Sequence, residues 1–191
     1  MAGSITYTVV LDACVLYPAS VRDILLSFAH AGLFRARWTN QIHDEWTRNL
    51  IKNRPELADK VKLTVALMNE TIDDCLIENY EYVIDSLNLP DANDRHVLAA
   101  AIVGHADAIV TFNLKDFPAS TAATHGIEIL HPDDFLVSQF ELAPLKVVTA
   151  IKKARARLKN PEMSAKELID KYESVGLTQF SSLLRDAIHL I

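Results

Sequence analysis

Two short runs, Ile5-Thr6-Tyr7-Thr8-Val9-Val10-Leu11 and Ala108-Ile109-Val110-Thr111-Phe112, consist of β-branched and apolar residues with no charge inside either. As strands they have no charged face to offer water, so both sides must be covered. Helical periodicity separates them. Val21, Ile24, Leu25 and Phe28 form a stripe that stops near Gly32, and Ser20 with Asp23 reads as its capping box. Thr39 or Asn40 caps a helix over 41–52. Pro55 opens another, with Leu57, Val61, Val65, Met68 and Ile72 at helical spacing. Asp91 caps a helix over 92–103 that stops near Gly104. Shorter strands are expected at 34–38, 75–79 and 126–130. Strands alternating with crossovers of helix length give a parallel α/β sheet with helices on both faces.

Beyond about 140 the strand pattern ends. Val147, Val148, Ile151, Ala154 and Leu158 make one helical stripe. Ser164 and Glu167 form a capping box for a second helix, with Gly176 as its stop, and Thr178 is the expected cap of a third. The chain therefore divides into an α/β domain over 1–140 and a helical extension over 141–191. The segment from Lys152 to Lys159 is strongly basic, and a solvated face and an RNA-facing or partner-facing role are both open for it.

The net charge of −6 argues against a nonspecific nucleic-acid binder, because phosphate needs positive charge. Two cysteines, Cys14 and Cys75, do not make a disulfide framework. No apolar run approaches the roughly 20 residues of a membrane span, and no basic region precedes an apolar stretch as in a signal peptide. A cytoplasmic protein without membrane association is expected. The seven histidines lack metal-binding spacing, which disfavours zinc.

Four acids stand at expected element ends. Asp12 directly follows the first buried strand, where open α/β sheets place their ligands. Asp94 lies within roughly 60° of Val97, Leu98 and Ala101 on its helix, so it faces inward. Glu45 flanks the stripe of Ile42, Trp46 and Leu50, where either a salt bridge to Arg22 or Arg48 or a metal would offset its desolvation. Asp116 and Asn113 occupy the loop after the second buried strand. Converging carboxylates repel one another, and a divalent cation relieves that. Asp91 is read as a cap with a water-mediated metal contact as its second reading, His96 as a surface or structural residue, Cys14 as a small buried apolar one, and Trp38 and Trp46 as core. Arg22 and Arg95 are candidate phosphate neighbours.

The ordered set Val9-Val10-Leu11-Asp12, Glu45, Asp91-Ala92-Asn93-Asp94-Arg95-His96 and Thr111-Phe112-Asn113-Leu114-Lys115-Asp116 resembles the PIN-domain nucleases, with particular likeness to the VapC-like toxins of bacterial toxin–antitoxin pairs. The likeness covers about 1–135. It implies a three-layer α/β/α fold with a roughly five-stranded parallel sheet, a Mg²⁺ or Mn²⁺ site, and cleavage of RNA leaving a 5′-phosphate. It also implies a cognate antitoxin; a homodimer is expected from the apolar stripes of the tail helices, which could otherwise pack against the domain's own sheet or helices. By motif position Asp12, Glu45 and Asp94 match the family's first three acids. Some members carry the fourth acid where Asn113 stands and others three residues on, so Asp116 is the expected fourth ligand and Asn113 a neutral one. Cys14 departs from the polar Asn that many members carry there.

Three other readings compete. A haloacid-dehalogenase-like phosphatase needs a second acid where this chain has Cys14, and a receiver domain needs an acidic pair that is absent. The non-enzyme alternative is a catalytically impaired PIN-like scaffold that binds RNA or protein.

Overall fold

The computed structural model describes residues 7–159 and 161–191. Ile5 and Thr6, expected to begin the first strand, lie outside the described residues. In chain order the elements are β1 (Thr8–Leu11), α1 (Ala13–Leu16), α2 (Ala19–His30), β2 (Arg35–Arg37), α3 (Asn40–Asn53), α4 (Ala58–Thr71), α5 (Glu81–Ile84), α6 (Arg95–Val103), β3 (Ala108–Val110), α7 (Ala119–Ala123), β4 (Glu128–Leu130), α8 (Pro132–Leu142), α9 (Pro144–Arg157), α10 (Ala165–Ser174) and α11 (Thr178–Asp186). Single 3₁₀ turns lie at Pro55–Leu57, Ala92–Asp94, Leu114–Asp116 and Ile188–Leu190.

The described residues form two compact units: residues up to Tyr17 with Phe34–His131, and Pro18–Leu33 with Pro132–Ile191. The first holds the sheet. The fold is the expected three-layer α/β/α with C-terminal helices, but the sheet has four parallel strands in the order β2-β1-β3-β4, not five. The missing strand is the one expected at 75–79. Its Leu76 makes only a single parallel bridge to Trp38, through Trp38 N–H to Cys75 O at 2.8 Å and Ile77 N–H to Trp38 O at 2.8 Å. Asp74 and Asn79 sit on either side with φ of 51° and 58°, and a left-handed residue at each end stops the ladder. Arg37 holds this edge by donating to Gly104 O and Leu76 O, both at 3.1 Å. Gly104 has to be glycine for close approach: an added Cβ would stand 2.6 Å from Ile77 Cδ1 and 2.9 Å from Ala100 O.

Val9, Val10, Leu11, Ile109 and Val110 are fully buried, as runs without a charged face require. The strand order matters for function. The chain leaves β1 toward β2, then returns past β1 to β3, so its direction reverses between β1 and β3. In open parallel sheets the crevice beyond the carboxyl ends at that reversal is where ligands bind. The register pairs Leu11 with Val110, so the next residues, Asp12 and Thr111, emerge side by side.

The second unit is all helical. The stripe of α9 is buried at Val147, Val148, Ile151 and Ala154, and Phe180 of α11 meets Phe28 of α2 edge-on at 6.0 Å and Tyr172 of α10 at 6.2 Å. Ser164 and Glu167 form the expected capping box on α10. Two expectations are corrected. Ser20 does not cap α2: the helix begins at Ala19 with an extended Pro18 at the N-cap and no side-chain cap, so Ser20 already lies inside the first turn. Thr178 is the first residue of α11, not its cap. The N–H groups of Gln179 and Phe180 instead donate to Asp133 Oδ2 and Oδ1 of α8, each at 2.9 Å.

Candidate active site

Asp12 is 6% exposed at the end of β1, and both its oxygens are held. Ala13 N–H donates to Oδ1 at 2.6 Å; Thr111 Oγ1 and Cys14 Sγ donate to Oδ2 at 2.7 and 3.1 Å. Cys14 is thus not an apolar filler. Its sulfur lies 3.2 Å from Thr111 Oγ1 and accepts Phe112 N–H at 3.2 Å. Burial, then the charge of Asp12, pushes the thiol up to about 12, so it stays neutral and donates. Thr111 passes unnoticed in the sequence because it reads as part of a strand; it directly follows β3 as Asp12 directly follows β1.

Thr39 starts α3 by accepting Ile42 N–H at 3.1 Å, which sets the helix that carries Glu45. Glu45 Oε1 lies 2.8 Å from Nε2 of His96 on α6. His96 is 2% exposed, so it is a buried partner of Glu45 and not a surface residue, and it stands in place of the expected Arg22 or Arg48. Its Nδ1 has no hydrogen-bond partner among the described residues, which suits the tautomer with the proton on Nε2 facing the carboxylate.

Asp94 ends the 3₁₀ turn Ala92–Asp94 and precedes α6, half-buried. Its Oδ2 is buried and lacks a partner among the described residues. Its pKa rises to about 6, first from desolvation and then from the charges of Asp12, Asp91, Asp116 and Glu45. Asp91 has the expected capping role, accepting Asn93 N–H at 2.8 Å. Asn113 donates its side-chain amide to Asp116, so the two candidates for the fourth position act as a pair.

These groups border an open cleft of about 490 Å³ whose lining includes Asp12, Cys14, Glu45, Asp94 and Asn113. Asp116 is not in the lining, and its carboxylate reaches the others through its field and through Asn113. Trp46 is 1% exposed yet contributes to the wall, with its indole N–H on His43 Nδ1 at 3.0 Å. Tyr17, Asn49 and Asn53, which carry no sequence signal, complete it. Trp38 is core, with its indole N–H on Asn69 Oδ1 at 2.8 Å. Arg95 does not line the cleft, and Arg22 belongs to the helical unit.

Among the described residues, no three His, Cys, Asp or Glu side chains close around a single point. The donor set nevertheless fits a hard divalent cation. Its charged donors are carboxylates, one Asp94 oxygen is buried without a partner among the described residues, and the neighbouring acids add to the burial that raises the proton affinity of Asp94.

The PIN-domain profile matches residues 8–115, more than half of the chain, so this chain belongs to the PIN-domain family. A second profile, described as the VapC50 C-terminal domain, matches residues 132–186. A protein of Mycobacterium tuberculosis (strain ATCC 25618 / H37Rv) named "Putative ribonuclease VapC50" is 55% identical over 49 residues, which are 26% of this chain and 29% of that protein. The matched stretch thus spans under a third of that relative. No solved structure matches. Among the described residues, no helix is long and apolar enough to cross a membrane.

Proposed function

We propose that this chain is a Mg²⁺- or Mn²⁺-dependent endoribonuclease, hydrolysing RNA phosphodiester bonds to leave a 5′-phosphate, and the toxin of a toxin–antitoxin pair. The observation that carries the reading is Asp94: burial first, and then four other carboxylates, raise its pKa to about 6 at the reversal point of a PIN-family sheet. The ribonuclease name of the mycobacterial relative points the same way. Within this reading the nuclease domain is 1–140 and the helical extension 141–191.

Asp12, Asp94 and Asp116 would hold the ion, with Glu45 beside them, Asn113 as a neutral ligand and Asp91 as an auxiliary acid. The ion supplies positive charge to the phosphate and lowers the pKa of water when bound. Asp12 is presented in one orientation by Ala13, Thr111 and Cys14. Glu45, held by His96, takes the proton from the attacking water. The partners are an RNA substrate, a cognate antitoxin and a second copy of the chain in the cytoplasm.

The test is cleavage of a labelled RNA by the full chain with Mg²⁺, Mn²⁺ or chelator. Asp12→Asn and Asp94→Asn should each lower the rate by about 10²–10³-fold, the scale of losing one major electrostatic group at a reaction centre. Wild-type rates in Asp94→Asn, or cleavage that survives chelation, would overturn the reading.

A further inference from the structure

We propose that the helical unit carries its own binding site for RNA phosphates, in the groove between α2 and α9. The proposal rests on the nuclease reading for the identity of its ligand. The groove has a volume of about 430 Å³ and is lined by Ser27, His30, Lys146, Thr149, Lys153 and Arg157, among others.

Its charge is concentrated. Residues 144–159 hold six of the chain's 19 lysines and arginines and no acid, although the chain as a whole is at −6. Lys146, Ala150, Lys153 and Arg157 recur at helical spacing, beside the buried stripe of Val147, Ile151 and Ala154. Lys146 and Lys153 therefore stand two turns apart on one face, about 10.5 Å along the axis. Both are exposed, and no ion pair of either is found among the described residues. Arg157 is held in place: its Nη2 donates to Ser27 Oγ at 2.8 Å and lies 3.4 Å from Asp23 Oδ1. Ala150 is small and buried, which keeps the floor open between the cations.

A second feature adds to the field. Leu145 and Lys146 lie in the first turn of the 14-residue helix α9, whose N-cap, Ala143, has no side-chain acceptor for the first N–H groups. That helix end bears partial positive charge and donors suited to an anion. Against this stand Asp23 and the carboxyl end of α2, which carries about half a negative charge. Two lysines, an arginine and a helix N-terminus outweigh them. An ordinary solvated helix face spreads its charges and mixes their signs; this one gathers a single sign around a concavity.

The measurement is binding of a fluorescein-labelled single-stranded oligoribonucleotide to the full chain in chelator, by anisotropy, from 50 to 200 mM salt. Wild type should bind with a salt slope of about −0.7 per phosphate contacted. Lys146→Gln/Lys153→Gln should bind about tenfold more weakly at low salt, with a slope shallower by about 1.4. Lys146→Glu/Lys153→Glu should bind more weakly still, and both variants should melt like wild type. Asp94→Asn should bind RNA at least as well as wild type. Unchanged affinity and slope in both double variants would overturn the groove. So would tighter, lysine-dependent binding of labelled polyglutamate, which would assign the groove to an acidic protein. Lysine-dependent RNA binding in a chain that never cleaves RNA would leave the groove standing and sink the nuclease reading.

Discussion

Asp94 and Asp133 are both carboxylates withdrawn from water, one in each compact unit, and their surroundings are opposite. Asp133 is 4% exposed, and its two oxygens receive the N–H groups of Gln179 and Phe180 at the start of α11. Asp94 has a buried oxygen without a partner among the described residues, and its pKa is raised by burial and then by four other acids. Burial of an acid is therefore not by itself a sign of function. An acid whose oxygens are both satisfied by backbone N–H groups holds the fold together. One left unsatisfied among like charges is held there by the fold at a cost in stability, and fits a ligand that neutralises it.

This contrast is open to direct attack. Asp133→Ala leaves two N–H groups of α11 without their cap and should destabilise the chain by about 2–3 kcal/mol, read from urea unfolding. A cost below the error of the fit would mean that Asp133 is no more structural than Asp94. In the sheet unit, Thr111→Val and Cys14→Ala each remove a donor to Asp12 and should lower cleavage by about 10–100-fold. Cys14→Ser should largely retain it, since the thiol acts as a neutral donor. Equal loss in Ala and Ser variants would point to packing rather than hydrogen bonding.

Thr39→Ala should cost about 1 kcal/mol by uncapping α3, with cleavage falling only if Glu45 loses its place beside His96. The smallest effect is with pH. The pKa of Asp94 is higher in the folded state, about 6, than its unreacted reference of 3.8. Without metal, its contribution is fully favourable below about pH 4, where both states hold the proton. It is lost as pH rises through about 6, where the folded state must surrender that proton. The loss should be about 0.5–1 kcal/mol after solvent screening at this partly exposed group. Melting curves of wild type and Asp94→Asn with chelator, from pH 4 to 7, would show it as a converging or crossing pair. Parallel curves would mean that neither burial nor the other acids raise the pKa of Asp94.

Much of the sheet unit was legible in the sequence because its signals are local. Runs without charge marked β1 and β3, helical stripes marked α3, α4 and α6, and acids after strands, at a helix start or on the flank of an apolar stripe marked Asp12, Asp116, Asp94 and Glu45. Caps at Thr39, Asp91 and Ser164 were legible for the same reason, since a cap and its partner lie two or three residues apart. The strand expected at 75–79 failed because its apolar residues say nothing of the left-handed Asp74 and Asn79 that enclose it.

By itself, then, the sequence determined the parallel α/β class, most helix limits and which acids stand at element ends, all through spacing along the chain. Only the tertiary structure decided what those residues meet. Thr111 reaches Asp12 across 99 residues, His96 reaches Glu45 across 51, and Asp133 caps a helix that begins 45 residues later. It also grouped α2 with the C-terminal helices, so that Ser27 and Arg157 share a groove. Periodicity records which face of an element avoids water; it does not record which other element covers that face, because that choice is made by packing between segments distant in the chain.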